Sequence, residues 1–365
     1  MGLFDSLKNR KNKQFYQQAI ELGSRLASEG QFEEAIYSYT QAVTAMPDDL
    51  YSHHRLGELY IKLQRYDQAL SAYQRALSLD ANDILASEGL AEIYVETERY
   101  DQALEICRRI LGHKTHNAKF YRHMGMAYEN LQHHEDALSA YKQSLTIDAN
   151  SFETHYQLGL VYQNLERYDE ALQSHEQAIG LKPDFAEAYY KLGVIYSKLT
   201  RYANAIEAYQ QAIRLKSNFV SAHYNLGVNL LRIGNYQEAV HIYKTAISID
   251  PDFAESHHNL GVAYANLNQP EEAIRSYKDA ISIKPEFVDA YCNLSAAYRK
   301  LRRFEEAIQA YKHAIRIKPE HTDAHYKLGQ LYLSMGNRAS ALGEYKVLQG
   351  LNANIAHKLF NEIYK

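Results

Sequence analysis

An all-α solenoid of ten 34-residue helix-turn-helix units is the fold that the sequence predicts, and three observations predict it. The first is a period. Units starting at Tyr16, Leu50, Ile84, Ala118, Phe152, Ala186, Val220, Ala254, Val288 and Thr322 follow one another without insertion or deletion, filling residues 16–355. The second is the spacing inside a unit. In residues 254–287, counted 1 to 34, small, apolar or ring side chains stand at positions 4, 7, 8 and 11 (His257, Leu260, Gly261, Tyr264) and again at 20, 24 and 27 (Ala273, Tyr277, Ala280). Each set keeps the i, i+3, i+4, i+7 rhythm of one helix face. The third is residue size: Ala fills position 20 in all ten units and Gly fills position 8 in eight, with Ala91 and Ser295 as the exceptions. Such small residues let two helices approach closely, where larger ones would force them apart. A pair this short cannot bury its apolar faces alone, so the units stack.

Composition fits this reading. Hydrophobic residues are 46% and charged residues 23% of the 365, as in ordinary folded chains. A net charge of -4 gives no general attraction to nucleic acid. Cys107 and Cys292 lie in different units, too far apart in a rod to pair, and two free thiols fit a reducing compartment. No 18-residue apolar run is present to span a membrane.

Along the chain, residues 1–15 precede the array. Leu3, Phe4 and Leu7 can share a helical face, followed by Lys8, Arg10, Lys11 and Lys13. A basic amphipathic segment of this kind lies on an anionic membrane or docks on a partner. Gly2 and Ser6 match the loose M-G-x-x-x-[ST] pattern of N-myristoylation, and the alternative is a simple lead-in to the first helix. The third unit departs from the pattern, with Cys107 and Ile110 where Tyr and Ala usually stand, then Gly112, and with His113 at a normally small or apolar position. Its seam with the fourth unit is therefore expected to be soft. Units five to nine are the most regular, and Pro183, Pro251, Pro285 and Pro319 end their second helices. After Leu351, the spacing of Ile355, Leu359 and Ile363 predicts a terminal helix that caps the last unit.

The 34-residue period, with L-G at 7 and 8, Tyr at 11, Ala at 20, Tyr at 24 and Pro at 32, resembles the tetratricopeptide repeat. The resemblance covers residues 16–355 and implies a right-handed superhelix whose first helices line a concave groove. It implies binding rather than catalysis, with a peptide segment or partner protein in that groove.

No catalytic motif competes with this. The chain has no P-loop, no G-x-G-x-x-G and no G-x-S-x-G. Five of the seventeen histidines (His53, His155, His223, His257, His325) recur at position 4 and read as packing residues. Cys107, His113, His116 and His123 have donor types that suit zinc, but their spacing follows no zinc pattern, and neither a metal nor a cofactor is expected.

The tyrosines carry the binding hypothesis. Of 32, the repeat pattern uses 24. Four of the remaining eight fall at position 5 (Tyr156, Tyr190, Tyr224, Tyr326), and His258 holds that position in unit eight. At 100° per residue, positions 5 and 6 flank the line that points away from the packed face. Position 6 is Asn225, Asn259 and Asn293 in three consecutive units, and Asn both donates to and accepts from a peptide backbone. A similar asparagine ladder lines the arm of the O-linked N-acetylglucosamine transferases, and N-L-G-V-A-Y at 259–264 looks like that arm over about three units. The alternative is that Tyr and Asn merely solvate the groove or bond between units. Position 13 adds Lys198, Arg232 and Lys300, and position 2 adds Glu153, Glu187, Glu255, Asp289 and Asp323, two charge lines that would orient a ligand. The chaperone-tail clamp of some relatives fails here, since Arg122 at position 5 is followed by Met126 at 9.

The expected function is thus a non-catalytic scaffold or adaptor of the cytoplasm, with membrane contact only through residues 1–15. The alternatives are a self-assembling coat or membrane-complex assembly factor, and the arm of a glycosyltransferase-type enzyme without its catalytic domain. The terminal helix argues against truncation.

Overall fold

The computed structural model describes residues 2–111 and 117–365, with side chains from residue 12 onward. The amphipathic face of residues 3–11, the lipidation pattern and the candidate ligands His113 and His116 lie outside what is described. Among the described residues there are 21 helices and no strand, an all-α helical repeat solenoid. The chain falls into two compact bodies, Met1–Pro183 and Asp184–Lys365.

The first body holds α1 (Gly2–Ser28), α2 (Phe32–Ala45), α3 (Leu50–Lys62), α4 (Tyr66–Leu79), α5 (Ile84–Glu96), α6 (Tyr100–Ile110), α7 (Ala118–Asn130), α8 (His134–Ile147), α9 (Phe152–Asn164) and α10 (Tyr168–Leu181). The second holds α11 (Ala186–Lys198), α12 (Tyr202–Leu215), α13 (Val220–Arg232), α14 (Tyr236–Ile249), α15 (Ala254–Asn266), α16 (Pro270–Ile283), α17 (Val288–Lys300), α18 (Phe304–Ile317), α19 (Thr322–Ser334), α20 (Arg338–Leu351) and α21 (Ala353–Ile363). Within each body consecutive helices pack on one another. The first helix of the first pair is continuous from Gly2, so residues 2–15 extend it rather than standing apart from it.

Seven of the ten pairs are closed by the same contact. The ring at position 24 lies against the glycine at position 8 of its own pair. A Cβ added to Gly193, Gly227 or Gly261 would stand 2.6 Å from an atom of the Tyr209, Tyr243 or Tyr277 ring. The third unit confirms the logic by exception, because Cys107 replaces the ring and Ala91 replaces the glycine. The turn between the helices is equally uniform. Position 15 takes a left-handed backbone in every unit, at Gly30, Gln64, Glu98, Gln132, Glu166, Thr200, Gly234, Asn268, Arg302 and Gly336. The next amide then closes the helix end by a 6→1 bond, as in Arg65 N to Tyr60 O at 2.8 Å.

Four of the position-4 histidines tie one unit to the next. The Nε2 of His53, His155, His257 and His325 donates to the carbonyl of Pro47, Ala149, Pro251 and Pro319, at 2.9 to 3.0 Å. His223 instead bonds Phe219 O through Nδ1 at 3.1 Å. At the C-terminal end α21 buries Ala356, Leu359 and Ile363, and Leu359 occupies the space beside Gly329.

Candidate partner-binding face

The candidate residues of units six to eight form a repeated assembly in the second body. Tyr190, Tyr224 and His258 are half-buried. Each ring sits between two others: the position-24 tyrosine of its own unit and the phenylalanine at position 34. The centroid distances are 5.8 Å to Tyr209 and 4.9 Å to Phe219 for Tyr190, then 6.2 Å to Tyr243 and 5.1 Å to Phe253 for Tyr224. His258 lies 5.7 Å from Tyr277 and 4.8 Å from Phe287. These rings are therefore not surplus to the fold. They contribute packing at the seam and show the remaining edge outward.

The asparagines close the same seam. Asn225 Nδ2 donates to the Tyr190 hydroxyl at 3.0 Å, and Asn293 Nδ2 donates to His258 Nε2 at 2.9 Å. In both pairs the asparagine comes from the following unit. A nitrogen that accepts must be unprotonated, so His258 is a neutral ring carrying its proton on Nδ1. Burial pushes its pKa down, in the same sense. Burial raises the Tyr190 and Tyr224 hydroxyls, with Asn225 and Asn259 respectively opposing the shift. Val228 and Val262 at position 9 are half-buried beside this line.

Other candidates stand elsewhere. Tyr156 belongs to the first body, where its ring lies 5.4 Å from His175. Tyr326 is engaged by the terminal helix: its hydroxyl donates to Glu362 at 2.7 Å, which pushes its pKa up to about 12. Lys198, Arg232 and Lys300 are exposed residues that end α11, α13 and α17. There they face the negative end of the helix dipole, about two turns from position 5. The acidic line is largely satisfied within the array, with Glu187 on Lys216 at 3.0 Å, Glu255 on Lys284 at 2.9 Å and Glu153 near Arg122 at 3.7 Å.

What sequence reasoning missed is position 34. In the first body this residue caps the following helix. Asp49, Asp83, Asn117 and Ser151 each accept a backbone amide of the first turn. In the second body Phe219, Phe253 and Phe287 make no such cap and clamp the position-5 ring instead. The switch from cap to aromatic was visible as four Phe residues at 34-residue spacing, Phe185, Phe219, Phe253 and Phe287.

Among the described residues no group of three or more His, Cys, Asp or Glu is placed to hold a metal. Cys107 and His123 are each buried: burial pushes the Cys107 thiol up to about 12, away from the thiolate that a metal needs, and pushes the His123 imidazole down to about 3, which leaves it neutral. No described helix is long and apolar enough to cross a membrane.

Family models for the tetratricopeptide repeat match residues 26–85, 156–220, 229–268, 254–287, 276–309 and 296–336. The model for the tetratricopeptide repeat protein 21 C-terminal ARM domain matches residues 85–187. Among solved structures, MamA is 30% identical, with 46% of this chain and 92% of that chain covered and a TM-score of 0.44. YrrB, described as a TPR protein with an unusual peptide-binding site, is 28% identical over 50% of this chain and 94% of that one, with a TM-score of 0.45. The C-terminal part of a TPR repeat-containing protein from Cytophaga hutchinsonii reaches a TM-score of 0.58 at 17% identity, covering 65% and 97%, which is a likeness of fold alone. No curated protein matches the chain. With repeat models covering most of its length on top of the helix-pair architecture, the chain belongs to the tetratricopeptide repeat family.

Proposed function

We propose that this protein is a non-catalytic scaffold that holds an extended segment of a partner protein against the first helices of units six to nine. The observation that supports this most is the regular row of ring and amide groups at Tyr190–Asn225 and His258–Asn293, with Tyr224 and Asn259 at the intermediate position. Each pair presents a half-exposed ring edge and an amide at the period of the array. A chain laid across them meets apolar surface and hydrogen-bonding groups in alternation, which gives affinity with little dependence on sequence. The likeness to the asparagine ladder of the glycosyltransferase arm favours the same backbone-directed binding. Lys198, Arg232, Lys300 and Tyr326 would act at the margins of this contact.

Selection of random dodecapeptides displayed on phage, with the full-length chain immobilised, tests the reading. Peptides recovered on the wild type should bind the triple variant Asn225→Ala, Asn259→Ala, Asn293→Ala more weakly by about 2 kcal/mol or more, the size of an interface hot spot. Equal binding to the folded triple variant refutes it.

A second reading, self-association, has its own observation. Leu22 at position 7 of the first unit is 41% exposed, whereas Leu56 at the same position of the second is 7% exposed beneath the preceding helices. Phe15 and Tyr37 are exposed near it and line the same shallow groove. A helix of a second copy would cover this face as a preceding unit covers it elsewhere. Light scattering on the purified protein should then show a dimer that Tyr37→Glu with Leu22→Glu dissociates, and a monomer at all concentrations excludes it.

A further inference from the structure

The seam between units three and four lacks the latch seen in units six to nine, and a recess opens there. Where Asn225 meets Tyr190, the equivalent positions in units four and three are His123 and Glu88. Their side chains do not bond each other. Glu88 instead accepts from Asn117 Nδ2 at 2.7 Å. His123 is 5% exposed and has no hydrogen-bond partner among the described residues, yet it lines the recess. One unit earlier, the position equivalent to Asn225 is Gly89. With no side chain there, the Tyr73 ring reaches so close that an added Cβ would stand 2.3 Å from it. The result is a cavity of about 370 Å³ across α3, α5 and α7, with Ile61, Leu85 and Phe120 as its apolar walls.

Charge is distributed unevenly around it. Glu92 is neutralised by Lys119 at 2.6 Å and Glu58 by Arg55 on its own helix. The carboxyl of Glu88 has no ion pair among the described residues, although burial pushes its pKa up, with Asn117 and Lys119 only partly opposing. A half-buried carboxylate with a single amide donor has lone pairs to spare and gains from a cation. His123, which lines the same recess, is an unpartnered neutral imidazole that can accept one further hydrogen bond. The apolar walls suit an aliphatic stem.

We infer that this recess receives an arginine side chain of a partner segment, its guanidinium donating to Glu88 and His123 and its methylenes lying on Leu85 and Phe120. A guanidinium fits better than an ammonium because its planar fork reaches two acceptors at once. The site is separate from the ring-amide row of the second body and holds whether or not that row binds a partner.

The test uses two blocked alanine hexapeptides that differ only in a central arginine or citrulline, which has nearly the same shape without the charge. Both are titrated into the full-length protein to millimolar concentration and followed by NMR. The arginine peptide should shift the His123 and Leu85 signals and bind at least tenfold more tightly than the citrulline peptide. Glu88→Gln, which keeps the Asn117 contact, should lose the same factor while its melting curve stays that of the wild type. Asn225→Ala should leave arginine binding unchanged. Equal binding of the two peptides, full affinity in Glu88→Gln, absence of binding to the wild type, or loss of binding in Asn225→Ala overturns the assignment. The citrulline comparison needs no variant, so it decides even if Glu88→Gln proves unstable.

Discussion

Asn225 donates its side-chain amide to the Tyr190 hydroxyl at 3.0 Å, and the two residues stand 35 positions apart in the chain. Asn293 and His258 repeat the contact at 2.9 Å and the same separation. One period plus one residue joins position 5 of a unit to position 6 of the next. A polar bond at that step fixes the register between neighbouring pairs, which apolar packing alone leaves looser.

This makes the first prediction a coupling experiment. Tyr190→Phe removes the acceptor and keeps the ring between Tyr209 and Phe219, and Asn225→Ala removes the donor. Each should lower stability by about 1 kcal/mol, the usual net worth of such a bond, and the double variant should lose less than the two together. Urea midpoints measure it. Additive losses would mean that the two groups do not act as a pair. For the same reason a binding test that truncates Tyr190 to Ala confounds packing with recognition, and the asparagine variants are the cleaner probe.

Much of the fold was legible because a solenoid writes each contact ten times. The alternation of faces and the small residues at positions 8 and 20 mark the helices. From the second unit to the tenth, the first helices start at the residues where the period begins, Leu50 through Thr322. Residues 2–15 lie outside the period and were legible only as a lead-in, and they continue α1 as one helix. The site was legible in part. Spare tyrosines and asparagines stood out by count, but a helical wheel places them by angle on one helix and says nothing of the next unit. Their burial comes from Phe219, Phe253 and Phe287, which belong to the loops ahead of the following helices. The recess at Glu88 was hidden for the opposite reason: it arises where Gly89 and His123 break the pattern, and a search for regularity passes over exceptions.

The second prediction reverses an ordinary helix rule. Replacing a mid-helix glycine by alanine usually stabilises by about 0.5–1 kcal/mol. At Gly227 the new methyl would meet the Tyr243 ring at 2.6 Å, so Gly227→Ala should destabilise by about 1–3 kcal/mol instead. Adding Tyr243→Cys should recover part of the loss from overcrowding, as the natural pair Ala91 and Cys107 does in the third unit. Thermal melts of the single and double variants decide it. A stabilised Gly227→Ala would show that the ring moves aside freely.

The third concerns Thr200, which holds the left-handed turn position at φ 58°. Threonine is β-branched and suffers there, whereas Gly30, Gly234 and Gly336 occupy the same position without a Cβ. Thr200→Gly should raise stability by about 1 kcal/mol, the steric relief exceeding the added freedom of the unfolded chain. The reverse change, Gly234→Thr, should lower it by a similar amount. Urea unfolding of the two variants gives the comparison, and equal midpoints for Thr200→Gly and the wild type would refute it.

The last prediction follows from the protonation of His325. Its Nδ1 lies 2.6 Å from Glu344 Oε2 and its Nε2 lies 2.9 Å from the Pro319 carbonyl. Both partners accept, so both ring nitrogens are donors when both bonds are made, and the imidazolium is the form that satisfies the site. The pKa is accordingly raised above its ordinary 6.5, with the Glu344 bond as the largest cause and burial opposing it. A group whose pKa is higher in the folded chain contributes stability in full below its unfolded value, near 6.5, and loses that contribution as pH rises through the folded one. The wild type should therefore exceed Glu344→Gln by about 1.5–2 kcal/mol at pH 6, as charge-assisted bonds do, and the gap should narrow steadily above pH 7. Urea midpoints at half-unit pH steps measure it. A gap that stayed constant from pH 6 to 9 would show that Glu344 packs against a neutral ring.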